Sequence, residues 1–252
     1  NNFKYDKSFS PKSCKLSINK WILYKYEKTE KKVIKNLETF KFNFLISELY
    51  QFLWNDFCDL YIELSKNYLK EDKNKQEISG VFNFIFSRSL NLINPIIPFI
   101  TEKLSTELGF IKDSLYTQFI NSESRINYEN RTINDFDSFI NLIRKIRFEI
   151  GDSKSKFRLI IISERKVKWI DDNIFLIDSI FKFNDIQYNK KRNKNDKVLV
   201  VSGTKLALET VDERKSSETK SLKKQILFYK NEVNFFNEKL NNKDFINKAP
   251  LK

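Results

Sequence analysis

Asp56, Asp59 and Glu63 put three carboxylates on one short stretch, and Asp59 and Glu63, four apart, share a helix face. Carboxylates at that spacing can move protons or hold a divalent cation. The plainer reading, which we favour, is that they grip Lys and Arg side chains of neighbouring helices. Trp54 and Tyr61 flank them with rings able to stack on nucleobases, although rings at helical spacing belong more often to a core. Arg144 and Arg147, three apart with Lys145 between, leave their helix on one side. Two planar bidentate donors so close together suit a phosphate backbone or an interdomain ion pair, and the residues leave that choice open. Further along, Lys220, Lys223, Lys224 and Lys230 line a charged segment that can lie along phosphates without reading sequence.

Chemistry that makes or breaks bonds lacks its parts. The chain has no His, which excludes Ser-His-Asp and Cys-His catalysis and any His-based metal site. Only 4 Gly are present, with no phosphate-cradling loop. Two cysteines, Cys14 and Cys58, cannot build a disulfide framework or a zinc site, and Cys58, set among apolar residues, is expected to be small and buried. We therefore expect no catalytic centre, metal or cofactor in this segment.

Charge points to a partner. The 46 basic and 33 acidic side chains leave a formal +13, which favours polyanions through counterion release. Part of that excess is lysine that accompanies abundant Asn, Ile and Phe, a usage typical of AT-rich coding, so charge supports nucleic-acid binding without establishing it. No run of about 20 apolar residues spans a membrane, and the N-terminus lacks a signal-peptide core. A soluble, cytoplasmic setting is expected. The chain contains no Met, so it reads as a piece of a longer protein.

Periodicity supplies the elements that must position these groups. Phe42, Leu45, Leu49, Leu53, Phe57, Leu60 and Leu64 recur every three or four residues and predict a buried helical stripe. Tyr50, Trp54, Cys58 and Tyr61 form a second stripe beside it, as in the interior of a bundle. A helix is predicted over 75–93, followed by Asn94 as N-cap with Pro95 at the first helical position and Pro98 on the first turn. Residues 111–134 read as a connector. A helix over 135–150 is expected to bury Phe136, Phe139, Ile140, Ile143, Ile146 and Ile150. Strands are predicted at 158–162, 197–201 and, more weakly, 205–210, with a helix over 164–181 between the first two. From Ser217, Leu222, Ile226, Tyr229, Val233, Phe236 and Leu240 follow a coiled-coil seam whose partner strand would come after a turn near 244–250.

Read together, several runs resemble one family. Trp54-Asn55-Asp56-Phe57-Cys58-Asp59-Leu60-Tyr61-Ile62-Glu63 resembles the Trp-x-x-Phe-Cys-Asp-x-Tyr-x-Glu helix of valyl-tRNA synthetases, with Leu60 where that family usually has a second Trp. Pro95-Ile96-Ile97-Pro98-Phe99-Ile100-Thr101-Glu102 resembles its Pro-x-x-Pro-Phe-Ile-Thr-Glu start. Ile143-Arg144-Lys145-Ile146-Arg147-Phe148-Glu149 resembles its Ile-Arg-x-Ile-Arg-x-Glu helix. Residues 239–250 are similar to the turn of its coiled-coil arm, and the runs occur in the family's order.

The resemblance implies a mainly α fold. Its parts are a segment at 1–17 continuing from a catalytic domain, an anticodon-binding helical bundle of class I synthetases at 18–128, a small α+β domain at 129–212, and the first half of a tRNA-binding coiled-coil arm at 213–252. It implies that the full-length enzyme joins valine to tRNA(Val) with ATP and edits threonine. ATP handling lies elsewhere, because the class I signatures need His and Met. Trp54, Phe57, Cys58, Asp59, Tyr61, Glu63, Pro95 and Pro98 are then mostly structural. Implied partners are tRNA(Val) and the catalytic and editing domains of the same chain, in a monomer. The alternatives are the equivalent region of an isoleucine-type enzyme, or a stand-alone helical interaction module.

Overall fold

The structure is a computed structural model that describes residues 9–111, 114–115, 128–153, 155–188, 196–211 and 225–234. The chain divides into two compact units, Asn1–Glu149 with Arg165–Lys182, and Ile150–Glu164 with Phe183–Lys252.

The first unit is helical. Helix α1 (Ser17–Glu38) sinks Ile18, Trp21, Ile22, Tyr26 and Val33 into the core. No side chain of its own caps its start. Instead Glu77 accepts from the Lys15 and Leu16 amides at 3.0 Å each and from Asn19 Nδ2 at 2.8 Å. An anion from another helix thus meets the N-cap amide and the one before it, at the positive end of α1. Helix α1 ends in a Schellman turn, with Lys41 N–H on Asn36 O at 2.8 Å and Phe40 N–H on Leu37 O at 3.1 Å. The left-handed residue of that turn is Phe40, φ 57°, where glycine would be usual.

Next comes one long helical run: α2 (Phe42–Tyr50), a π-helical segment (Gln51–Ile62) and α3 (Glu63–Tyr68). In a π-helix the hydrogen bonds run i to i+5, so each turn takes in an extra residue and the faces rotate. Buried positions accordingly step from Leu45 and Leu49 to Phe52, then five residues to Phe57, then to Leu60, Tyr61 and Leu64. Phe52 takes the place predicted for Leu53, and Phe42 is half exposed. The second predicted stripe is overturned. Tyr50 and Trp54 are each 62% exposed and Cys58 is exposed, leaving only Tyr61 in the core.

Helix α4 (Asp72–Ile93) brings Phe82 against Phe57, with ring centroids 5.4 Å apart. Asn94 caps the end of α4 rather than the start of the next helix. Its Nδ2 donates to Thr101 Oγ1 at 3.0 Å. Helix α5 (Pro98–Glu107) therefore begins at Pro98, not Pro95, because proline holds the preceding Ile97 out of helical geometry. Helix α6 (Asn130–Ile150) starts five residues before the predicted 135 and buries Ile133, Phe136, Phe139, Ile140, Leu142, Ile143 and Ile146. Trp21 packs on Phe136 at 5.6 Å. Two short helices, α7 (Lys168–Asp171) and α8 (Ile174–Phe181), replace the single helix predicted over 164–181, and Phe175 meets Tyr68 edge-on at 5.4 Å. Helices α6 to α8 group with this first unit up to Glu149.

The second unit holds a sheet in the order β2-β1-β4-β3, from β1 (Lys156–Ile162), β2 (Asp185–Tyr188), β3 (Lys197–Val201) and β4 (Thr204–Val211). β2 runs parallel to β1, and β4 lies antiparallel to both β1 and β3. Ser202 (φ 47°) and Gly203 (φ 78°) make the two-residue turn between β3 and β4, a geometry matched to strand twist. The parallel strand β2 was not predicted, since Asp185-Ile186-Gln187-Tyr188 is short and polar. Residues 225–234 are helical and exposed.

Candidate nucleic-acid interface

The motif helix and α6 are tied by two ion pairs. Arg144 Nη2 reaches Asp56 Oδ1 at 2.7 Å, and Arg147 Nη1 reaches Asp59 Oδ1 and Oδ2 at 3.0 and 2.7 Å. Burial pushes the Asp56 carboxyl above its usual range, and the Arg144 guanidinium pulls it partly back. A third tie lies nearby in sequence on α6, where Asp137 accepts from Trp21 Nε1 at 2.7 Å and pairs with Lys25 at 3.0 Å. Arg144 keeps 47% of its side chain accessible and Arg147 33%, while Lys145 is exposed. Two guanidinium groups are therefore oriented by carboxylates yet remain partly open to solvent. Glu63 pairs within its own helix, to Lys66 at 2.6 Å.

Behind this face lies a polar thread through the core. Tyr61 donates to Asn19 Oδ1 at 2.9 Å, and Asn19 in turn donates to Glu77, the group that caps α1. Burial raises the Tyr61 phenol well above its ordinary range. Cys14 nearby is buried, and desolvation with the Glu77 charge lifts its thiol to about 12. A second buried unit joins Glu30 to Arg88 at 3.0 Å and to Tyr26 at 2.9 Å. Sequence reasoning missed both, because Asn19, Glu30 and Glu77 look like ordinary polar helix positions until their partners are known.

Motif residues thus divide. Phe57 and Tyr61 are core, Asp59 is a tie, and Trp54, expected in the core, is on the surface, as is Cys58, expected to be buried. Pro98 starts α5 and Pro95 sits in the turn before it. Lys230 is exposed on the 225–234 helix, whose Ile226, Tyr229 and Val233 keep the seam spacing and are exposed too. Lys220, Lys223, Lys224, the rest of the seam and the turn at 244–250 lie outside the described residues. Among the described residues no group of three His, Cys, Asp or Glu is arranged to hold a metal, and no helix is long and apolar enough to cross a membrane.

A family profile described as the anticodon-binding domain of tRNA ligase matches residues 19–162. This chain belongs to that family. The match takes in the motif helix, both prolines and the whole of α6. The chain is 31% identical over 260 residues to a valine–tRNA ligase of Malacoplasma penetrans, an alignment covering 99% of this chain and 29% of that protein. It is 28% identical over 267 residues to the valine–tRNA ligase of Pelagibacter ubique, covering 99% and 30%. Against the Picrophilus torridus valine–tRNA ligase it is 34% identical over 179 residues, covering 70% and 23%. The chain thus spans under a third of the length of these relatives.

Proposed function

We propose that this chain is the tRNA-holding C-terminal part of a valine–tRNA ligase, which as a whole joins valine to tRNA(Val) with ATP in the cytoplasm, as a monomer. The observation that carries the reading is the anticodon-binding family match across the helical unit, together with valine–tRNA ligases that align along 99% of the chain. ATP use, valine activation and threonine editing would reside on polypeptide outside this segment. Here the work is geometric. Holding the RNA in one orientation converts a diffusing acceptor end into a positioned one.

Within that reading, Arg144 and Arg147 have two tasks. Their pairs with Asp56 and Asp59 fix α6 against the motif helix, and the same pairs hold the guanidinium groups ready for phosphates. Lys145 and Lys230, with Lys220, Lys223 and Lys224, would add sequence-independent attraction that weakens with salt.

Filter binding with transcribed tRNA(Val) and an unrelated tRNA tests this. The expected result is tighter binding of tRNA(Val) at moderate salt, and a salt slope that falls by roughly one per arginine in Arg144→Ala and Arg147→Ala. Equal affinity for both RNAs would remove the specific reading. An unchanged slope would leave the arginines as ties only.

A further inference from the structure

An exposed, largely aromatic ridge runs along α2 and into the π-helical segment, and neither the fold nor the ion pairs account for it. Phe42, Ile46, Tyr50 and Trp54 recur every four residues, so each is the surface neighbour of the next. Their exposures are 49%, 51%, 62% and 62%. The Tyr50 and Trp54 rings lie within 9° of parallel, with centroids 6.2 Å apart. At the ridge's upper end Phe40, 78% exposed, stands edge-on to Phe42 at 6.3 Å. That ring sits on a residue forced left-handed, φ 57°, at a turn position where the equivalent turn after α5 has Gly109, φ 71°. A large side chain held at a strained backbone site and left in water does nothing for folding.

We propose that this ridge is a stacking platform for unpaired bases of the bound tRNA, an inference that rests on the tRNA-holding function above. The surface composition fits an RNA occupant. Ser47, Gln51 and Asn55, each one residue on from a ridge position, flank the ridge and are exposed, offering hydroxyl and amide groups to base edges, and Lys41 is exposed beside Phe42. Nearby carboxylates are already engaged: Glu48 by Lys32 at 2.9 Å, Asp56 by Arg144 and Asp59 by Arg147. A phosphate backbone therefore meets hydroxyl and amide donors and Lys41 here, with these three carboxylates paired, while the exposed Glu38 stands two residues before Phe40. From Phe42 to Trp54 the rise is about 18 Å at α-helical spacing, room for up to about five nucleotides stacked at roughly 3.4 Å. Flat rings with satisfied neighbours suit bases of any identity, so the platform holds loop nucleotides while other contacts choose among them.

The test uses the whole 252-residue chain with tRNA(Val) transcripts carrying 2-aminopurine at single loop positions. Tyr50→Ala and Trp54→Ala should each weaken binding by about 5- to 150-fold, the span for loss of one base–aromatic stack. They should also abolish the 2-aminopurine quenching, whereas Trp54→Phe stays within about 3-fold because a flat ring remains. Both side chains are surface groups, and circular dichroism spectra matching the wild type establish that the variants fold. Wild-type affinity and quenching in both alanine variants overturn the platform while leaving tRNA binding intact. A wild-type chain that binds no tRNA overturns the tRNA-holding function and the platform together. If the variants bind tRNA normally but self-associate less in sedimentation, the ridge is a protein contact and the proposal falls.

Discussion

Phe40 and Gly109 occupy the same position in two equivalent turns, which allows the cost of left-handed backbone to be measured twice in one protein. After α5, Phe110 N–H bonds Ser105 O at 2.9 Å and Gly109 N–H bonds Thr106 O at 3.0 Å, the same pair of bonds that ends α1. Comparing Phe40→Ala with Phe40→Gly removes the ring in both variants and leaves only the backbone difference. A Cβ at left-handed φ costs about 1–2 kcal/mol, and glycine's extra unfolded-state freedom returns about 0.5–1 kcal/mol. Phe40→Gly should therefore be more stable than Phe40→Ala by about 1 kcal/mol, or about 2–4 °C in Tm. Gly109→Ala should lose a similar amount, since a Cβ at Gly109 meets nothing within 4 Å and steric contact adds no second cost. Urea titration followed by tryptophan fluorescence is the assay. All 3 tryptophans, Trp21, Trp54 and Trp169, lie in the helical unit that carries both turns, so the signal reports that unit alone. Should Phe40→Ala match or exceed Phe40→Gly, the strain argument fails, and with it the reason for regarding Phe40 as held there against folding.

Three further outcomes are expected. Tyr61→Phe strips the buried Asn19 carbonyl of its donor and should destabilise by about 1–3 kcal/mol in the same urea assay, with no loss if the site repairs itself with water. Arg88→Ala leaves the Glu30 carboxylate, 7% exposed, without its cation and should cost about 3–5 kcal/mol, whereas replacing both partners by neutral residues of similar size should cost far less; equal costs would refute an uncompensated charge as the cause. Thiol labelling at pH 8 should modify Cys58 in the native protein and Cys14 only on unfolding. The Cys14 thiol, lifted to about 12, carries almost no thiolate until pH approaches that value, so rapid native labelling at both sites would contradict its burial.

How much was legible in the sequence depends on whether a feature is local. The helical stripe of Leu45, Leu49, Phe57, Leu60 and Leu64, the buried face of α6 and strands β1, β3 and β4 follow from side-chain periodicity, and the ordered motifs carried the family. The spacing rule failed where the backbone left α-helical geometry. In the π-helical segment the buried row steps five residues, from Phe52 to Phe57, instead of three or four, and no pattern of residue types announces such a segment. The start of α5 shifted because Pro98 holds Ile97 out of helical geometry, while Asn94 at the end of α4 donates to Thr101, seven residues on, a contact that local propensity does not weigh.

By itself the sequence determined the class of fold and the family, because those depend on which residues are present and how they repeat along the chain. Only the tertiary structure decided that Arg144 answers Asp56 across 88 positions, that Glu77 caps a helix other than its own, and that four large side chains stay in water as a ridge. Such pairings arise when distant segments are packed together, since the energy of an ion pair or a buried hydrogen bond depends on separation in space and carries no mark in either residue alone.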